Sequence, residues 1–173
     1  IVGKTRKLQS KETPEEQKKV EYMRQSVAAL EEGFNATYEF YPGINLVYNQ
    51  IELAKMTGDV SLIEKAFNDA ELVMYSAKKA GAERTSDFWT AATLLESSIF
   101  AGEVTPQMVQ HCLETSQHDW ELGATIGNLK GVAETISTQL GSGELDEATA
   151  ERLTKILGII NGDTDNPGGL SVL

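Results

Sequence analysis

Four residues able to bind metal or move protons fall within one short stretch: His111, Cys112, Glu114 and His118. On one helix His111 and His118 share a face, and Glu114 lies between them at steps of three and four. Zinc sites use imidazole and carboxylate sets of this kind. Cys112, however, points about 100° away from His111, so a compact four-ligand set does not form on this helix. The stretch reads as an ordinary amphipathic helix. Asn161, Asp163 and Asp165 alternate like the start of a calcium loop. Asn166 then stands where that loop needs glycine, and Val172 where it needs a bidentate glutamate, so a solvated tail is expected.

Glu52 and Glu96 could be imagined as a general acid and base, but they also fall at equivalent positions of two similar segments, which explains them better. No G-x-x-x-x-G-K-[ST] or strand-borne G-x-G-x-x-G run offers a phosphate loop. Ser171-Val172-Leu173 has the form that a PDZ domain reads through strand addition and carboxylate capture, provided Leu173 is a true chain end. Trp89 and Trp120 are expected to be packing residues, since large aromatics dominate cores. No catalytic residue, cofactor or metal ligand is assigned.

The elements that must carry these residues are helices. Thr13-Pro14-Glu15-Glu16 is a helix start: a cap, a first-turn proline and two acids at the positive end of the dipole. Val20, Met23, Val27, Leu30 and Phe34 follow at helical spacing, and the helix is expected to reach about Tyr38. Pro42 disfavours helix at Tyr41, so Tyr41-Pro42-Gly43-Ile44-Asn45 is expected to be a helix-to-helix turn. Further helices are predicted at about 43–57, 61–80, 87–101, 105–117, 119–140 and 146–160. Gly58, Gly81, Gly102 and Gly141 break them, and Ser86 or Asp87 and Asp119 cap two of them. No strand is predicted.

Two segments superpose. Residues 44–59 laid on 88–103 bring Glu52 onto Glu96, Gly58 onto Gly102 and Asp59 onto Glu103. A third Gly-acid turn stands at Gly143-Glu144. Phe67 and Ala70 fall where tetratricopeptide repeats place an aromatic and a small residue. Repeated helix-turn-helix units imply stacked hairpins; an irregular helical bundle is the alternative.

The chain has 173 residues, 40% of them hydrophobic, enough for a core without disulfides or metals. A net charge of −11 argues against nucleic acid, which needs clustered cations; the basic cluster Lys4 to Lys19 is broken by Glu12, Glu15 and Glu16. No apolar run has membrane-spanning length. Cys112 is the one cysteine, which fits a reducing, cytoplasmic compartment. The opening Ile1-Val2-Gly3-Lys4 matches the processed start of trypsin-like proteases, but no serine motif follows it.

Three motifs in order, YPGIN at Tyr41 to Asn45, DFWTAATLLESS at Asp87 to Ser98 and WELGATIGNLK at Trp120 to Lys130, carry a resemblance. Together they resemble the TRAFs-binding domain of the apoptosis-signal-regulating MAP kinase kinase kinases, a domain with relatives in tetratricopeptide-like bacterial proteins. The matching positions are Pro42, Gly43, Ile44, Asn45, Asp87, Trp89, Thr93, Glu96, Trp120, Glu121 and Leu122, and the match covers about residues 34–140. The family has further repeats before YPGIN, where here Ile1 to Leu8 reads as the tail of a truncated helix, and no kinase segment is present. Gly123 and Gly127 also weaken the sixth helix. The resemblance implies a regulatory or scaffolding solenoid. TRAF binding is not carried over, because no contact motif matches.

The expectation is therefore an all-α chain of about seven helices, tetratricopeptide-like hairpins stacked as a short right-handed solenoid. Residues 1–160 are expected to form one helical-repeat domain, the C-terminal part of a longer solenoid, and 161–173 a flexible tail. The function expected is binding of a protein partner, or of another domain of the same chain, on a concave surface. A metal-dependent hydrolase on an all-α scaffold and a structural spacer are the alternatives. Asn45, Asn49 and Glu52 share one helix face, and Trp89, Thr93 and Glu96 the matching face of the next unit. These six are expected to form one polar-aromatic patch, with Asn45 and Trp89 fixing the stacking and Asn49, Glu52 and Glu96 meeting a basic partner segment.

Overall fold

The helix boundaries sit on residues that a helix interior tolerates poorly. The computed structural model describes residues 15–142 and 145–162. Among these the chain forms seven α-helices and no strand: α1 (Glu16–Thr37), α2 (Phe40–Thr57), α3 (Ser61–Lys79), α4 (Phe88–Ala101), α5 (Pro106–Thr115), α6 (Asp119–Ser142) and α7 (Glu147–Asn161), with a 3₁₀ turn at Ala82–Arg84 before α4. Asp87 and Asp146 cap α4 and α7 by accepting the amide N–H of Thr90 (2.8 Å) and Thr149 (3.0 Å). Thr105 caps α5, with Pro106 at its first position. Gly58 and Gly102 end α2 and α4 in the left-handed region, φ 71° and 72°. The Thr13-Pro14 helix start, the Gly143-Glu144 turn, Ile1 to Leu8, Asp163, Asp165 and the Ser171–Leu173 end lie outside the described residues.

Three local expectations are corrected. The turn between α1 and α2 is at Tyr38-Glu39, ahead of YPGIN. Tyr38 takes the left-handed conformation, φ 53°, and its N–H closes on the Phe34 carbonyl at 2.7 Å. Pro42 then falls in the first turn of α2, where a missing N–H costs no helical bond. Secondly, α6 is capped by its third residue. Glu121 turns back and accepts the N–H groups of Gln117 (2.8 Å) and His118 (3.0 Å), one half of a capping box. Thirdly, α5 stops at Thr115, so His118 is not on the helix that carries His111.

The core explains the order of packing. Residues 91–100 of α4 are all buried, the polar Thr93, Glu96, Ser97 and Ser98 among them. α4 is enclosed by α2, α3, α5, α6 and α7. Ile44, Val47, Ile51 and Ala54 of α2 pack with Phe67 and Val73 of α3 and Leu95, Ile99 and Phe100 of α4. Each such large side chain contributes about 1.5–3 kcal/mol when fully buried. Consecutive helices from α1 to α5 pack on their neighbours, whereas α6 lies against both α2 and α4. α7 packs on α6 and α4. It also reaches α3, where Thr149 bonds Glu64 and Arg152 bonds Asn68 and Glu71.

One glycine sets how close two of these helices come. A Cβ on Gly43 would stand 2.5 Å from Val73 Cγ2 and 2.7 Å from Phe34 Cε2. The backbone of α2 therefore touches side chains of α1 and α3 at this position, and no larger residue fits without displacement.

Candidate functional site

The sequence places a glutamate in the most enclosed helix, and the structure shows what surrounds it. Glu96 is 6% exposed. Burial raises its pKa to about 8, against the pull of Tyr48, Asn128 and Thr125, whose polar groups face the carboxyl and favour its charged form. That support is incomplete. Tyr48 Oη and Thr125 Oγ1 are fully buried and make no hydrogen bond of normal geometry. The carboxyl therefore holds its proton at neutral pH. Burial, and then the charge of Glu96, push the Tyr48 phenol up as well.

Tyr48 and Asn128 separate this carboxyl from a cleft of about 240 Å³ between α2 and α6. Asn45, Tyr48, Ile51 and Glu52 supply one wall. Gly127, Asn128, Gly131, Val132 and Thr135 supply the other. The two glycines recur at a spacing of four, so they stand on one face of α6. A Cβ on either would meet nothing within 4 Å.

The six residues expected to form one patch divide into several environments. Asn45 and Glu52, both half-buried, line the cleft. Asn45 bonds within its own helix, donating Nδ2 to the Tyr41 carbonyl at 2.8 Å, and not to a neighbouring unit. Asn49 is the interhelical bridge: it is buried and donates Nδ2 to Ser26 Oγ of α1 at 2.8 Å. Thr93 is buried and bonds the Trp89 carbonyl at 2.8 Å. Glu96 lies behind the cleft wall.

Trp89 and Trp120 are not core residues. They are 42% and 62% exposed, and their ring centroids lie 5.8 Å apart. They begin α4 and α6, and His118 stacks on Trp120 at 6.1 Å. Asp87 and Asp119, both exposed, flank them in the chain. Gly127 and Gly131 each fall within about 20° of Trp120 around α6 by the helical period, one on either side, so the paired indoles and the cleft share a face of that helix.

The histidine-cysteine stretch does not assemble. His111 Nε2 lies 3.1 Å from the Ala82 carbonyl, Glu114 accepts from Gln110 at 2.8 Å, and Cys112 is a buried free thiol. Burial, and then Glu96, push that thiol up to about 12. Among the described residues no three metal-binding side chains converge. No described helix is long and apolar enough to cross a membrane.

Sequence reasoning missed Tyr48, Thr125, Asn128, Gly127 and Gly131 as site residues. Their only signal was the Gly-x-x-x-Gly spacing of α6, which reads as helix weakness until α2 is placed opposite. No family model, curated protein or solved structure matches the chain.

Proposed function

We propose that this chain is a non-catalytic interaction module that holds a protein segment, from a partner or from another part of its own chain, against the Trp89–Trp120 surface. The observation that carries this reading is the exposed contact of two tryptophans at the starts of adjacent helices. Tryptophan is enriched among the residues that dominate binding energy, and contiguous exposed aromatic surface marks interaction sites. The flanking acids Asp87 and Asp119, with a chain charge of −11, favour a basic segment.

The stacked-hairpin architecture belongs to the same proposal. It is supported by the superposition of 44–59 on 88–103, whose Gly58 and Gly102 adopt nearly the same left-handed conformation. The resemblance to TRAFs-binding domains, carried by YPGIN and the two tryptophan motifs, supports a regulatory or scaffolding role. The single buried cysteine fits a cytoplasmic setting. The test is affinity capture with the parent chain and with Trp120→Ala and Trp89→Ala. A directly binding partner should be retained by the parent and lost by the variants, while Trp120→Ala melts within about 0.5 kcal/mol of the parent, as surface substitutions do. Equal capture by all three would refute the reading.

A further inference from the structure

We propose that the α2–α6 cleft is a binding site for a primary alkylammonium group, carried by a free amine or by a lysine side chain. The cleft is identified by which of its donors are already used. Asn45 gives its Nδ2 to the Tyr41 carbonyl, which leaves Oδ1 as the free end of the amide. Thr135 gives its hydroxyl proton to the Gly131 carbonyl at 3.0 Å, which leaves the oxygen lone pairs. Glu52 can only accept, and it forms no ion pair with any described residue. Among the described residues no Lys, Arg or His lines the cleft. These three side chains therefore offer acceptors and negative charge, and the complement is a cation with several donors.

The remaining wall selects an alkyl stem. Ile51 and Val132 are apolar, and the faces of Gly127 and Gly131 are open. A glycine inside a helix costs roughly 0.5–1 kcal/mol relative to alanine. No contact among the described residues needs either glycine, so what they provide is room beside α2. A divalent metal fits less well: one lining carboxylate falls short of the six or more oxygens that calcium takes. An ammonium has three donors on a compact head and can place its charge against the Glu52 carboxylate, with the acceptors of Asn45 and Thr135 elsewhere along the same cleft. The ring of Tyr48 adds an aromatic wall that favours a cation.

The experiment titrates the chain with n-butylamine and cadaverine at neutral pH, followed by calorimetry or by NMR shifts of α2 and α6 amides. Saturable binding is expected that n-butanol, with the same stem and no charge, does not reproduce. Glu52→Gln, isosteric and half-exposed, should weaken amine binding roughly tenfold or more while melting is unchanged. Gly127→Leu, built into open space, should block it. Trp120→Ala should leave it intact, so this site and the tryptophan surface can fail separately. A short lysine peptide binding more tightly than either amine assigns the ammonium to a protein side chain; the reverse order assigns it to a free amine. Equal binding of the alcohol, an unchanged affinity in Glu52→Gln, or no saturable amine binding overturns the proposal.

Discussion

Asn49 on α2 reaches across to α1 and donates to Ser26 Oγ at 2.8 Å, with both residues buried. Asn45, one turn earlier, spends its amide on its own helix. Asn49→Ala removes an interhelical bond and leaves a small void, so it should destabilise the chain by about 1–3 kcal/mol. Asn45→Ala, half-exposed, should cost less than about 1 kcal/mol. Urea unfolding of both variants checks the contrast, and equal losses would contradict it.

Gly43 and Gly58 should fail for different reasons. Gly43→Ala drives a carbon into Val73 and Phe34 and should cost about 1–3 kcal/mol through overpacking. Gly58 has open space around it but a φ of 71°. Gly58→Val should therefore cost roughly 1 kcal/mol or more through backbone strain alone. A Val73→Ala background should recover part of the Gly43→Ala loss and none of the Gly58→Val loss; thermal melts of the double variants read this out.

Glu96 makes stability depend on pH. The unfolded carboxyl titrates near its ordinary value of 4.5, whereas the folded one holds its proton to about 8. Between these values the folded state binds more protons, so Glu96 lowers stability as pH rises through that window, by at most about 1.4 kcal/mol per pH unit. Glu96→Gln should remove this slope and be more stable than the parent at the alkaline end, with little difference at the acid end. Denaturant midpoints across the pH range, compared between parent and variant, test it. Parallel curves would mean that the carboxyl is solvated.

Arg152 fastens α7 to α3. It bonds Glu71 at 2.9 Å and Asn68 at 3.0 Å, and its guanidinium lies 5.4 Å from the centre of the Phe67 ring. These groups are partly exposed, so the ion pair is screened. Arg152→Ala should cost about 1 kcal/mol, mostly through lost packing on Phe67. Faster hydrogen exchange should appear in α7 before α2. Uniform acceleration across both helices would show that α7 does not open separately.

The helices were legible because their ends are local chemistry. Gly58, Gly102, Asp87, Pro106 and Asp146 act within one turn of where they stand. The α1–α2 turn was misplaced because a tyrosine, not a glycine, took the left-handed position, and because proline is tolerated in a first helical turn. The site was legible only in part. Glu52 and Asn45 could be placed on one face by counting, but the helix opposite them could not: contact of α6 with both α2 and α4 is set by packing across most of the chain. Trp89 and Trp120 were misjudged for the same reason. Residue type favours burial, and only the tertiary arrangement leaves these two rings in contact at the surface.

The contact at Gly43 ties three positions into one unit of variation. Phe34 comes from the helix before YPGIN and Val73 from the helix after it, and both fill the space a Cβ on residue 43 would take. Residue 43 can enlarge only where both 34 and 73 give way, and a chain that enlarges residue 43 alone loses the close approach of α2. In homologues that keep this fold, the three positions should therefore change together, although they lie nine and thirty residues apart along the sequence.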